Sequence, residues 1–164
     1  MQRIDSPIPR DIRLREVEPG DLPLFFAHQQ DPVAVEMVAF TSRDRAAFDQ
    51  HWAKILADPT SLIRTVVVDG EVAGNIGSFN REGEREVGYW IDRAYWGGGV
   101  GTAALSAFLR LEQTRPLHAG VAKHNIGSIR VLQKCGFTFL RSTAEASEDT
   151  DGVHVLLVLG APSA

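Results

Sequence analysis

Apolar and charged residues alternate at period two in Ile12-Arg13-Leu14-Arg15, which predicts a half-buried strand. Pro19-Gly20-Asp21 offers a turn and a cap, after which Leu22, Leu24, Phe25 and Phe26 open an apolar helical face. Phe48, Trp52, Ile55 and Leu56 recur at helical spacing in a second helix, which follows Thr41-Ser42 and ends at Asp58-Pro59. From Leu62 the period changes. Two valine-bearing runs, 62–68 and 71–79, flank Asp69-Gly70, a pair suited to the positive φ angles of a two-residue hairpin turn. Glu82-Gly83-Glu84 marks the next turn and leads into 86–91, so three antiparallel strands are expected in succession. Residues 99–111 read as a helix with Val100, Ala103, Ala104, Ala107 and Leu111 on one side. A short strand at 117–121 precedes a helix at 126–134, which Cys135-Gly136-Phe137 closes with a glycine suited to a left-handed cap. Final strands at 137–140 and 153–159 are separated by the polar loop 142–152. The order β-α-α-β-β-β-α-β-α-β-β predicts an α+β domain with a mixed sheet.

Composition narrows the function classes. The chain has 164 residues, 44% hydrophobic and 23% charged, which fits one domain over 11–160 with a loose lead-in (1–10) and a short tail (161–164). Disordered, collagen-like and disulfide-scaffold chains are excluded on the same figures. Cys135 is the single cysteine, so an intrachain disulfide and a cysteine zinc cluster are both ruled out, and no metal site is expected. A formal net charge of −4 argues against a dedicated nucleic-acid binder. No apolar run reaches the length of a membrane span. Met1-Gln2-Arg3-Ile4-Asp5-Ser6-Pro7 has no signal-peptide core, and a cytoplasmic location is the expectation.

The chemistry concentrates in Trp96-Gly97-Gly98-Gly99-Val100-Gly101-Thr102, which joins a strand to a helix. Glycines let a bound group approach the backbone, and the first N–H groups of a helix have no internal partner. The helix dipole adds positive potential, so a phosphate or pyrophosphate suits this end; a plain strand–helix turn is the competing reading. Two phosphate motifs fail. A dinucleotide fingerprint needs glycine where the chain has Thr102 or Val100, and no Gly-Lys-Ser/Thr tripeptide exists for a Walker A loop.

Glu86-Val87-Gly88-Tyr89-Trp90-Ile91 with Tyr95-Trp96-Gly97-Gly98-Gly99-Val100-Gly101 resembles the cofactor motif of the GNAT superfamily of N-acetyltransferases, Arg/Gln-x-x-Gly-x-Gly/Ala after the fourth strand. Asn125-x-x-Ser128-x-x-Val131-Leu132-x-Lys134-x-Gly136-Phe137 resembles the second motif, on the next helix, and 67–74 is similar to the preceding hairpin. The Gly-Tyr-Trp and Tyr-Trp-Gly elements are most like the branch of the ribosomal-protein (RimJ/RimL-type) N-terminal acetyltransferases. The resemblance implies a mostly antiparallel sheet, splayed between the fourth and fifth strands, with helices on both faces. It also implies acetyl-coenzyme A as cofactor and an amine as acceptor, with a homodimer among the assemblies the family admits.

Residue by residue, the resemblance assigns the pyrophosphate to the N–H groups of Gly98, Gly99, Val100, Gly101 and Thr102, beside Gly97. Trp96 stands where Arg or Gln is usual, and Gly98 where Lys or Arg is frequent, so the loop relies on its backbone. Arg130 and Lys134 are candidates for the outer phosphate, or else solvated helix residues. Ile91 falls at the strand-bulge position whose N–H faces the thioester carbonyl, with Trp90 beside it. Asn125 matches the asparagine that bonds the pantetheine arm and can also cap its helix. The family's tyrosine acid would fall at Leu132 and is missing, which leaves Ser128 as the nearest hydroxyl. The fifth-strand glutamate of some relatives would fall at Gly120. Glu86 is then the best remaining base, against an exposed edge-strand glutamate as the bland alternative, and Glu145 and Glu148 come second. His124, His28 and His51 are expected at the surface, and Cys135 in packing. The implied activity is acetyl transfer to a protein or peptide α-amine, with a small amine as the alternative acceptor. A catalytically silent acyl-CoA-binding module is the alternative of another class.

Overall fold

The computed structural model describes residues 10–38, 42–143 and 154–160. Among these, seven strands form one sheet: β1 (Ile12–Arg15), β2 (Leu62–Val68), β3 (Glu71–Arg81), β4 (Glu84–Ile91), β5 (Leu117–Ala122), β6 (Thr138–Thr143) and β7 (His154–Leu159). The helices are α1 (Leu22–His28), α2 (Pro32–Val38), α3 (Arg45–Ala57), α4 (Val100–Leu111) and α5 (Ile126–Lys134). The two hairpins follow from their turns. Asp69 and Gly70 have φ of 50° and 83°, and Glu82 and Gly83 have 51° and 81°, so each turn twists with its strands and β1 to β4 stack antiparallel. The second turn is tighter than the sequence suggests, so β3 runs on to Arg81 and β4 begins at Glu84.

The strand order is β1-β2-β3-β4-β5-β7-β6. Among the described strands only β4 and β5 run parallel, and they pair at Arg85↔Leu117 and Glu86↔His118 before parting. On its other side β5 is paired along its whole length, from Leu117↔Leu159 to Ala122↔His154. The predicted mixed, splayed sheet is therefore present. Alternation along the strands fills both faces. Val66, Ile76, Val87, Leu117 and Leu157 meet Val100, Ala104, Leu105 and Phe108 of α4 and Leu132 of α5. Phe25, Phe48 and Trp52 of α1 and α3 cover Ile63 and Val72 on the opposite face. Leu111, expected on the α4 core stripe, is its last residue and lies beyond the core, 49% exposed.

Helix α2 is absent from the sequence expectation. Its start is Asp31-Pro32, where Asp31 Oδ1 accepts from the Val33 N–H at 3.1 Å and proline occupies the first helical position. Two buried polar clusters fix the frame. Asp21 accepts from both Nη atoms of Arg15 (2.7 and 2.8 Å), from the Glu18 N–H (2.9 Å) and from Thr65 (2.7 Å). Glu112, just after α4, accepts from Ser78 of β3 and from Arg85 Nε of β4 at 3.0 Å. The second cluster holds β4 at the point where it still pairs with β5.

Candidate active site

The parting of β4 and β5 opens a cavity of about 610 Å³ through the sheet. Tyr89, Trp90 and Ile91 form one wall, Gly120, Val121 and Ala122 the other, and the glycine loop and the start of α5 close its ends. The sequence-predicted residues Trp90, Ile91, Trp96, Gly97, Gly99, Val100, Gly101, Thr102, Asn125, Ser128, Arg130 and Lys134 all line it. Gly98 and Glu86 do not line it.

The loop has the shape an anion needs. Gly97 and Gly99 sit at φ of 79° and 78°, a region open to glycine and strained for other residues, and neither has another group within 4 Å of where a Cβ would stand. Gly99 is the N-cap of α4, no side chain caps the helix, and its first turn holds no acidic residue. The N–H groups there are left for a ligand, with the dipole in support. Trp96 takes another part: its indole N–H donates to the Ile91 carbonyl at 2.9 Å and ties the loop to the end of β4. The β3–β4 ladder shows no register shift from Gly74↔Ile91 to Arg81↔Glu84, so Ile91 sits at a regular end of the strand and not at a bulge against β3.

At the other end of the cleft, Asn125 caps α5 by accepting from the Ser128 N–H at 3.2 Å. Ser128 Oγ lies 2.6 Å from the Tyr89 hydroxyl. Burial pushes the Tyr89 hydroxyl up to about 12, with the Ser128 bond working the other way, so it stays protonated at neutral pH. Tyr89 was not among the sequence candidates. Its signal was a hydroxyl one residue from Gly88 on the cleft strand, but its partner lies 39 residues on.

Glu86 stands where the two strands last pair, opposite His118. The bland alternative fails on both counts: β4 is internal to the sheet and the side chain is only 16% exposed. A Cβ at Gly120 would lie 3.3 Å from Glu86 Oε1, so the bare glycine admits the carboxylate into the space a fifth-strand side chain would take. Burial pushes the carboxyl above its ordinary value, against Arg81 at 3.2 Å and against His118. His118 is itself buried, with Nε2 3.4 Å from Glu84 and Nδ1 without a hydrogen-bond partner among the described residues.

Residues 11–138 match the acetyltransferase (GNAT) domain. The chain belongs to the GNAT acetyltransferase family. That family uses acetyl-coenzyme A, and the open glycines, uncapped α4 and exposed Arg130 and Lys134 suit its phosphates. The chain is similar to the Probable N-acetyltransferase YjcK of Bacillus subtilis (strain 168), 43% identical over 56 residues; the match spans 31% of this chain and 30% of that protein. Among solved structures it is similar to Mycobacterium smegmatis RimJ in complex with CoA-disulfide, with TM-score 0.73 and 21% identity over 90% of this chain and 81% of that one. It is also similar to the aminoglycoside acetyltransferase AAC(6')-Ib in complex with coenzyme A, with TM-score 0.75 and 18% identity over 92% and 95%. At these identities the likeness shows the fold. The neighbours span more than one branch, so of the resemblance read from the sequence it is the GNAT family that the domain match shows.

Other expectations fare unevenly within the GNAT frame. Leu132 is fully buried, so a core position replaces the tyrosine acid. Cys135 is a packing residue whose Sγ lies 3.7 Å from the Thr102 carbonyl, and burial pushes its thiol up. His124 is exposed and bonds the Glu36 carbonyl of α2 through Nε2 at 2.9 Å. His28, expected at the surface, is half-buried because α1 turns it toward Asp92, 3.9 Å away. Glu145 and Glu148 lie outside the described residues, as do 1–9. Ala34, Met37 and Val38 of α2 were not anticipated and complete the cleft. Among the described residues, no helix is long and apolar enough to cross a membrane and no cluster suits a metal.

Proposed function

We propose that this domain transfers acetyl from acetyl-coenzyme A to a primary amine by direct attack in a ternary complex, and that the acceptor is a protein or peptide α-amine. The observation that carries the reading is the cleft itself, with a phosphate-shaped loop at one end and Glu86 where β4 and β5 part. Bound there, the cofactor supplies a thioester whose carbonyl carbon accepts the amine. Glu86 takes the proton that the amine must lose. Ser128, hydrogen-bonded to Tyr89, would pass a proton toward the sulfur as the Tyr89 hydroxyl replaces it, and the Ile91 N–H would donate to the thioester carbonyl oxygen. Asn125 holds the pantetheine arm while capping α5. Arg130 and Lys134 serve the outer phosphate.

The likeness to RimJ and to the ribosomal alpha-N-protein acetyltransferase RimL (TM-score 0.71, 15% identity) supports the α-amine acceptor. The equal likeness to AAC(6')-Ib supports a second reading, a small cationic amine such as an aminoglycoside. Calorimetry with acetyl-coenzyme A tests the shared part: the wild type should bind, and Gly101→Glu, which sets a carboxylate in the first turn of α4, should not. Thiol release then separates the acceptors across a panel of short peptides and aminoglycosides. Turnover with peptides alone supports the first reading, turnover with aminoglycosides alone the second, and binding without turnover a silent acyl-CoA-binding module.

A further inference from the structure

The glycine loop carries no basic side chain of its own. Trp96 spends its N–H on the Ile91 carbonyl, and Gly98 has no side chain. Yet the space over Gly98 is filled. A Cβ there would lie 3.3 Å from Nη1, 3.6 Å from Cζ and 3.9 Å from Nη2 of Arg10, whereas Gly97 and Gly99 on either side face nothing within 4 Å. A guanidinium from a segment 88 positions earlier in the chain therefore occupies the place where a side chain of residue 98 would project.

The fold keeps it there. Asp11, the next residue, exchanges two bonds with the β2–β3 turn: its N–H donates to Asp69 Oδ1 and its carbonyl accepts from the Asp69 N–H, both at 2.8 Å. Strand β1 follows at once and packs against α4, the helix whose N-terminus the loop forms. Arg10 makes no ion pair or hydrogen bond among the described residues, although Asp11 beside it is paired to Arg13 at 2.9 Å. Its charge is felt at Tyr95, which lines the cleft.

We infer that Arg10 is the pyrophosphate-side cation of this chain, supplying from the N-terminal segment the charge that the glycine loop lacks at position 98, apart from Arg130 and Lys134 at the outer phosphate. The inference rests on the acetyl-coenzyme A reading above. Guanidinium donors match phosphate oxygens in a fork, and Arg10, outside the cleft lining itself, stands over the loop residue next to the α4 N-cap, from where its long side chain can turn to an anion seated on the backbone N–H groups. Because Gly98 lies outside the positive-φ region, it can accept a side chain once Arg10 is gone. The two positions are then interchangeable carriers of one charge.

The test is calorimetry of acetyl-coenzyme A at low salt on the wild type, Arg10→Ala, and Arg10→Ala with Gly98→Arg, alongside S-acetylpantetheine, which has no phosphate, as competitor. The expected result is a loss of about tenfold in affinity for Arg10→Ala, the size of one partly screened charge-assisted bond. The double variant should regain it, the loss should shrink at high salt, and competition by S-acetylpantetheine should not change. Unaltered affinity in Arg10→Ala overturns the inference while leaving the cofactor reading intact. A loss that Gly98→Arg does not repair, or that S-acetylpantetheine shares, also overturns it, since Arg10 would then act on the loop's shape. Failure of the wild type itself to bind removes the cofactor reading and this inference with it.

Discussion

Replacing Glu86 by Gln removes a carboxylate held between a buried site and a half-exposed cation, and the two effects can be separated. Burial raises the carboxyl; Arg81 and His118 pull it back, while Glu84 and Glu82 push it further up. If Glu86 accepts the amine's proton, kcat at saturating acceptor must fall as pH drops through this raised value. Glu86→Gln should then lower the plateau by about 10²- to 10⁴-fold and lose that acid limb. Arg81→Ala gives the finer test. Its guanidinium is 3.2 Å from Glu86 Oε2 but 56% exposed, so the pair contributes about 0.2–1 kcal/mol. At about 1.36 kcal/mol per unit, removing it should move the limb up by about 0.1–0.7 pH unit, and less in high salt.

Stability runs the other way. A carboxyl raised in the folded state contributes fully below its unfolded value and loses that contribution as pH rises through the folded one. Glu86→Gln should therefore be more heat-stable than wild type at neutral pH while turning over far more slowly. The assay is thiol release against pH with the acceptor found by the panel, paired with thermal melts. An unchanged acid limb in Glu86→Gln, or a limb that moves down in Arg81→Ala, would refute the reasoning.

The hydroxyl pair and the hairpin carry two further predictions. Ser128→Ala takes the 2.6 Å partner from the part-buried Tyr89 hydroxyl, which keeps its 3.4 Å bond to the residue 128 carbonyl, and should cost about 0.5–1.5 kcal/mol, or a few degrees of melting temperature. Tyr89→Phe removes both bonds of that hydroxyl and should cost at least as much; a clearly smaller loss in thermal melts would show that the pair does not act as described. A Cβ at Gly74 would stand 2.0 Å from the Trp90 carbonyl oxygen, so Gly74→Ala should force β3 from β4 and cost at least the ~1–3 kcal/mol of an overpacked core site. Denaturant unfolding measures it, and wild-type stability would mean that the two strands approach less closely.

What the sequence disclosed was local chemistry. Asp69-Gly70 and Gly136 announce positive φ wherever they occur, and Asn125 three residues before Ser128 is a cap in any context. The strands were legible because one face of each had to be buried. Helix α2 was missed although Asp31-Pro32 is a helix start, because seven residues give barely two turns of periodicity. The pairs that give the site its chemistry join distant positions: Tyr89 with Ser128, Glu86 beside Gly120, Arg10 over Gly98. A spacing rule reads neighbours along the chain, and none of these is one.

The position of β7 bears on how the domain comes into being during synthesis. Strands β1 to β4 form an antiparallel stack from residues close in sequence, which can assemble as they emerge. Strand β5 holds β4 at two residues only, and its real partner is β7, made more than thirty residues later and inserted between β5 and β6. One wall of the cleft is thus ready early, and the other exists only after residue 159 has been added. A nascent chain carries the glycine loop well before it has anything for that loop to close against.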